Sequence, residues 1–396
     1  MQSPDTAERE RPLAAFIDAL VTEIEPLELR HNLASWRAST TSIPEAEEES
    51  ARLEARLRAI LARPEAFTFL RSVQRQGGVA DPMLARQLLL LANAHHANQL
   101  GPAAIERMVG LEKRLEARFR SFRSELDGRR VTDNDLRQVL TLSGDVEERR
   151  RAWLASKQIG LEIADGLLEL VRLRNEAARE LGFADHYAMR LALDEQDEAG
   201  LSGLLDEVER ATRPIFDAYR RDLDRRLGCR FGIAPEELRP WHFADPFFQE
   251  APRADIDLDA FFARDRLEEM LARSFAAIGL DIRALLPRAD LGERPGKSQH
   301  AFCLCVDRRD DIRVLCNLRP TERAMSTLLH EFGHAAYDLH IDRSLPFVLR
   351  EPAHMLTTEA VAMLFGRLTK NPAWLERHAG VPADEARAAA APCARA

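Results

Sequence analysis

The sequence predicts a mainly α-helical protein with one short pair of strands in its C-terminal third. Two observations carry this. Leu84–Leu100, Ala104–Leu126 and Val146–Leu181 repeat apolar residues at three- and four-residue spacing with few breakers inside. By contrast, His300–Asp307 and Ile312–Leu318 are short, rich in β-forming residues, and separated by Arg308-Arg309-Asp310-Asp311, as in a hairpin. A composition of 45% hydrophobic and 31% charged residues suits a soluble globular protein.

Taken in order, Met1–Pro12 mixes acidic and basic residues, and the apolar stretch after it is interrupted by Asp18 and Glu23. That is not a secretory signal peptide. His95 and His96 are adjacent on a helix, so both cannot face one metal, and they read as a surface or groove feature. Thr132-Asp133-Asn134-Asp135 and Ser143-Gly144-Asp145 carry helix-start chemistry. Arg149, Arg150 and Arg151 follow Glu147 and Glu148, a pattern that predicts a solvated helix face. Proline and glycine become frequent between Gly228 and Pro252, an irregular connection whose aromatics should pack on the domain. These features divide the chain into a helical part at 1–252, a region with strands and motif at 253–378, and an alanine-rich tail at 379–396. Pro392 should break the tail's helix and its end should fray.

The chemistry concentrates at His330-Glu331-Phe332-Gly333-His334. Thr321 is placed to cap a helix, and Glu322 suits its positive end. Met325, Leu328, Leu329, Phe332 and Ala336 recur at helical spacing, predicting a buried amphipathic helix. His330 and His334 then project from one face, one turn apart. Two imidazoles so placed can share a zinc ion, with Glu331 beside a metal-activated water. The competing reading is two satisfied histidines on a core helix. Glu359 answers it, 25 residues beyond His334 in the apolar segment Ala353–Leu368. Pro352 fits that helix's first turn, and a carboxylate buried there would need a countercharge. Two histidines and a downstream glutamate form a gluzincin set that leaves a coordination position open, as catalytic rather than structural zinc sites do. Cys303, Cys305 and Cys316 read as small buried residues, with a metal role as the alternative.

His330–Tyr337 (HEFGHAAY), Ser344–Glu351 (SLPFVLRE) and Glu359, eight residues after Glu351, resemble the peptidyl-dipeptidase A family of angiotensin-converting enzyme. The resemblance covers His300 to Leu368, with one extra residue between the histidine motif and Leu345-Pro346. The chain is more distantly similar to thimet oligopeptidase and oligoendopeptidase F. The resemblance implies a large helical metallopeptidase fold with a deep central groove. It implies one Zn2+ per chain on His330, His334 and Glu359, Glu331 as catalytic base, and short peptides as substrates. His300 and Ala301 would hold substrate backbone on an edge strand, unless His300 only begins that strand. Where the family has an aspartate one turn after the glutamate ligand, this chain has Met363, so another group must orient the imidazole. The family's oxyanion tyrosine and carboxylate-binding residues lie past its zinc glutamate. Here 37 residues follow Glu359 (396 − 359) and none is tyrosine. The expectation is therefore an incomplete C-terminal subdomain and, as the alternative function, an inactive zinc-binding helical scaffold or interaction protein.

A net charge of −9 supplies no basic field for nucleic acid, and no run of about 18 uncharged apolar residues predicts a membrane span. Five cysteines in so large a chain point to a reducing cytoplasm. Oligomeric state is not legible.

Overall fold

A computed structural model describes residues 4–248 and 257–394, with the side chains of 10–248 and 257–389. The chain opens with five helices: α1 (Pro4–Thr41), α2 (Pro44–Leu61), α3 (Pro64–Gln76), α4 (Pro82–Ala97) and α5 (Pro102–Ser121). From α2 to α5 each begins with proline at its first turn, where the missing N–H costs nothing. Asp81 adds a side-chain cap to α4, accepting from the Met83 and Leu84 amides. Leu13, Ile17, Leu53, Leu70 and Leu91 from α1–α4 make one core cluster.

A small antiparallel hairpin follows, β1 (Ser124–Leu126) with β2 (Arg129–Val131). The helical periodicity of the sequence continues to Leu126, but α5 stops at Ser121. Asp127 and Gly128 both have positive φ, 52° and 76°, the conformation of a tight two-residue hairpin turn. Next come α6 (Asp133–Leu142), α7 (Val146–Ser156), α8 (Gln158–Glu180), α9 (His186–Leu193) and α10 (Glu198–Phe231). The expected caps are present: Thr132 and Asp135 form a capping box, and Asp145 accepts from the Glu147 and Glu148 amides. The single helix expected over Val146–Leu181 is two, separated by a turn at Lys157 whose Nζ donates to the Pro246 carbonyl.

Two residues expected at the surface are buried instead. Arg149 is fully buried rather than solvated. Its guanidinium donates to the carbonyls of Trp241, Ser143 and Phe243 and lies over the Phe231 ring. Carbonyl oxygens from the irregular connection satisfy donors that would otherwise force the side chain outward. Through this contact the connection packs on the helices as its aromatics suggested, with Trp241 edge-on to Trp153. His95, expected at a surface or groove, is completely buried and held by the Leu91 carbonyl. Its neighbour His96 lies between the rings of Phe67 and Phe183.

The largest core cluster runs from Leu258 to Ala386. It contains α11 (Leu267–Ala276), the antiparallel pair β3 (Phe302–Cys305) and β4 (Ile312–Leu315), α12 (Glu322–Leu339) and α13 (Met355–Gly366). A single turn α14 (Pro372–Trp374) and α15 (Ala383–Ala394) complete the described chain. The last helix continues through Pro392 rather than breaking there. The outer edge of β4 is covered by residues 290–291, whose Asp290 amide donates to the Val314 carbonyl. Among the described residues β3 pairs with no other strand, so its far side is the sheet's free edge. The buried Lys297 staples this region, donating to the carbonyls of Asp290, Gly292 and Cys316 and to the Asp290 carboxylate. No described helix is long and apolar enough to cross a membrane.

Candidate metal centre

The centre rests on the contact between α12 and α13. Thr321 caps α12 by accepting from the Ala324 amide, as its sequence position predicts. Glu322 is buried, and Lys370 supplies its countercharge at 2.8 Å. Met325, Leu328, Leu329, Phe332 and Ala336 form the buried stripe, each no more than 3% exposed. His330 and His334 stand on the facing side with their rings 4.9 Å apart.

Helix α13 delivers the third group, and two glycines let it approach. A Cβ on Gly333 would lie 2.7 Å from the Ala362 Cα, and one on Gly366 would lie 3.3 Å from the His330 Cβ. Glycine at both positions removes the side-chain spacer between the helices. The Ser326 hydroxyl donates to the Gly366 carbonyl, and Phe365 stacks on Phe275 of α11 beneath. The first turn differs from expectation: His354 is the cap and Pro352 lies outside the helix.

In this arrangement His330 Nε2 and His334 Nε2 lie 3.6 and 3.7 Å from Glu359 Oε2. Among the described residues these three form the group able to hold a metal ion, their ligand atoms within 4.8 Å of one another. Donors on a tetrahedral zinc with bonds of about 2.0–2.1 Å stand roughly 3.4 Å apart, so the set fits that ion. No cysteine joins the group. Cys316 is buried while Cys303 and Cys305 are half-buried against the core, and desolvation pushes the thiols of Cys316 and Cys303 well upward, as suits uncharged side chains.

Glu359 is not the buried carboxylate that the sequence suggested. Its side chain is 47% exposed, and α13 presents Met355, Leu356, Met363 and Leu364 outward beside it. Convergence with the two histidines, rather than a need for countercharge, is what singles it out. Glu331 is the buried acid, 7% exposed, and burial together with the Glu359 charge pushes its carboxyl up to about 8. A cation among the three ligands would oppose that rise. Burial lowers the affinity of His330 and His334 for protons, which favours the neutral imidazole a metal needs.

The residue that orients His334 was not anticipated. Thr358, 6% exposed, places its Oγ1 2.7 Å from His334 Nδ1, so the ring is held with Nε2 toward Glu359. Met363, at the position where the family resemblance implied a carboxylate, is 64% exposed. Adjacency to Glu359 was the only sequence signal for Thr358.

His300 and Ala301 lie just before β3 and line a cavity of about 410 Å³. Ala324 and Thr327, on α12 ahead of His330, line it too, whereas the three ligand residues and Glu331 do not. His300 stacks on Phe119 with its Nε2 3.8 Å from an Asp133 oxygen, and its side chain is 54% exposed.

A family model described as angiotensin-converting enzyme matches residues 7–233, over half of the chain. An angiotensin-converting enzyme from Haematobia irritans exigua is 23% identical over an alignment of 274 residues that covers 62% of this chain and 44% of that protein. The chain thus spans less than half the length of this curated relative. The family match covers the helical half, while the motif residues lie beyond it, so two separate stretches point the same way. The chain belongs to the angiotensin-converting enzyme family.

Proposed function

We propose that this chain hydrolyses peptide bonds in short peptides, with zinc held by His330, His334 and Glu359 and with Glu331 as general base. The observation that carries the reading is the convergence of those three ligand atoms, from α12 and α13, beside a buried glutamate on the helix that bears both histidines. When bound, zinc supplies Lewis acidity that makes water nucleophilic near neutral pH. Glu331 takes a proton from the attacking water and returns it to the leaving amine. Thr358 fixes the His334 tautomer, and water exclusion around Glu331 strengthens the local electrostatics. The free edge of β3, with His300 and Ala301 leading into it, offers backbone groups for an extended peptide.

The test is hydrolysis of short peptides followed by chromatography, with and without a chelator, in the wild type and Glu331→Gln. Chelator-sensitive cleavage that Glu331→Gln abolishes while zinc content is retained supports the reading. Near-stoichiometric zinc by atomic absorption in His334→Ala and Glu359→Ala would refute the ligand set. Stoichiometric zinc in the wild type without turnover would favour the alternative, a zinc-binding helical scaffold.

A further inference from the structure

A second cavity, of about 370 Å³, has none of the three ligands or Glu331 among its lining residues. Its walls are aliphatic, from Leu20 and Ile24 of α1, Leu57 of α2 and Leu91 of α4. Its roof is Phe347 and Val348, in the Ser344–Glu351 segment that connects α12 to α13. This volume lies in the range of small-molecule sites, which are apolar with a few converging polar groups.

The polar groups converge on Arg308. Its guanidinium grips Glu28 with two bonds of 2.5 and 2.8 Å, lies 3.0 Å from Glu351, donates to the Phe347 carbonyl and covers the Phe347 ring. One cation therefore serves two carboxylates. The other charged lining residues, Arg190 and Asp194, satisfy each other at 3.0 Å. The lining holds three carboxylates and two guanidiniums, a surplus of one negative charge next to an aliphatic chamber.

We propose that this cavity binds a primary aliphatic amine, its hydrocarbon tail among the leucines and its ammonium against Glu351, which Arg308 reaches with one nitrogen while holding both oxygens of Glu28. The ammonium supplies the missing positive charge, and the tail displaces water from apolar walls. The assignment does not depend on the peptidase reading, because the cavity and its charges exist without metal or substrate.

Isothermal titration calorimetry on the metal-free full chain tests it with n-octylamine, n-octanol and n-octanoate. Octylamine is expected to bind at least tenfold more tightly than octanoate. Ala94→Phe, which fills the chamber from α4, should weaken octylamine at least tenfold. Glu351→Gln should erase the preference for octylamine over octanol while leaving octanol binding in place. Equal binding of octylamine and octanoate by the wild type would overturn the proposal without any variant. So would octylamine binding unchanged in folded Ala94→Phe.

Discussion

Thr358→Val removes one hydroxyl and keeps the volume of a buried side chain. The lost partner is the 2.7 Å contact to His334 Nδ1. For His334 to offer Nε2 to a metal, Nδ1 must keep its proton, and the Nδ1–H then donates a hydrogen bond to Thr358 Oγ1. The His334 side chain is only 15% exposed and Thr358 6%, so little solvent is on hand to replace the acceptor. A buried donor left unsatisfied costs about 1–3 kcal/mol. At about 1.4 kcal/mol per decade, that is roughly a 5- to 100-fold loss of zinc affinity. It agrees with the typical 10- to 100-fold effect of removing a group that orients a metal ligand. Competition against a chromophoric chelator gives the affinity of both proteins. Thr357→Val is the control, since that exposed neighbour donates to the His354 carbonyl and not to a ligand. Thr358→Val within twofold of the wild type would refute the assigned role.

Three further outcomes follow from the same geometry. Gly333→Ala forces a methyl against the Ala362 Cα, so it should part α12 from α13 and lower zinc affinity at least tenfold; unchanged affinity by the same competition would contradict the close-approach argument. Arg149→Ala strands three carbonyls and opens a cavity under Phe231, which should cost about 3–5 kcal/mol of stability in urea denaturation; a loss below about 1 kcal/mol would show that the connection is held by other contacts. The Glu331 carboxyl is raised in the folded, metal-free chain to about 8, so its contribution is full below the unfolded value near 4.5 and is lost as pH rises toward 8. Metal-free Glu331→Gln should therefore gain melting temperature relative to the wild type between pH 5 and 8, since other titrating groups cancel in the difference; a pH-independent difference would count against that shift.

What was legible in the chain depended on how far each residue's partners lie along it. Helix α12 could be read with its cap, stripe and paired histidines because all of those relations fall within a few turns. Glu359 was found by its offset, yet its burial was misjudged. An apolar segment does not say which face meets a neighbour, and α13 turns Met355, Leu356, Met363 and Leu364 outward. Arg149 shows the limit plainly. Next to Glu147 and Glu148 it reads as one of a solvated charge cluster, and nothing local marks the Trp241 and Phe243 carbonyls, 92 and 94 residues away, that take it inside. The hairpin at Asp127-Gly128 is a different case: its turn signal is present, but the helical periodicity ahead of it extends to Leu126, over the residues that form β1. Thr358 combines both difficulties, being local to Glu359 in sequence and to His334 only in space. That the chain orients this imidazole with a hydroxyl, where the resemblance led one to look for a carboxylate, bears on chemistry as well as fold. A neutral acceptor fixes the tautomer but makes the ring less basic than a carboxylate would. A metal held by His334 would therefore receive less charge from the ring and keep more of its Lewis acidity, at some cost in affinity.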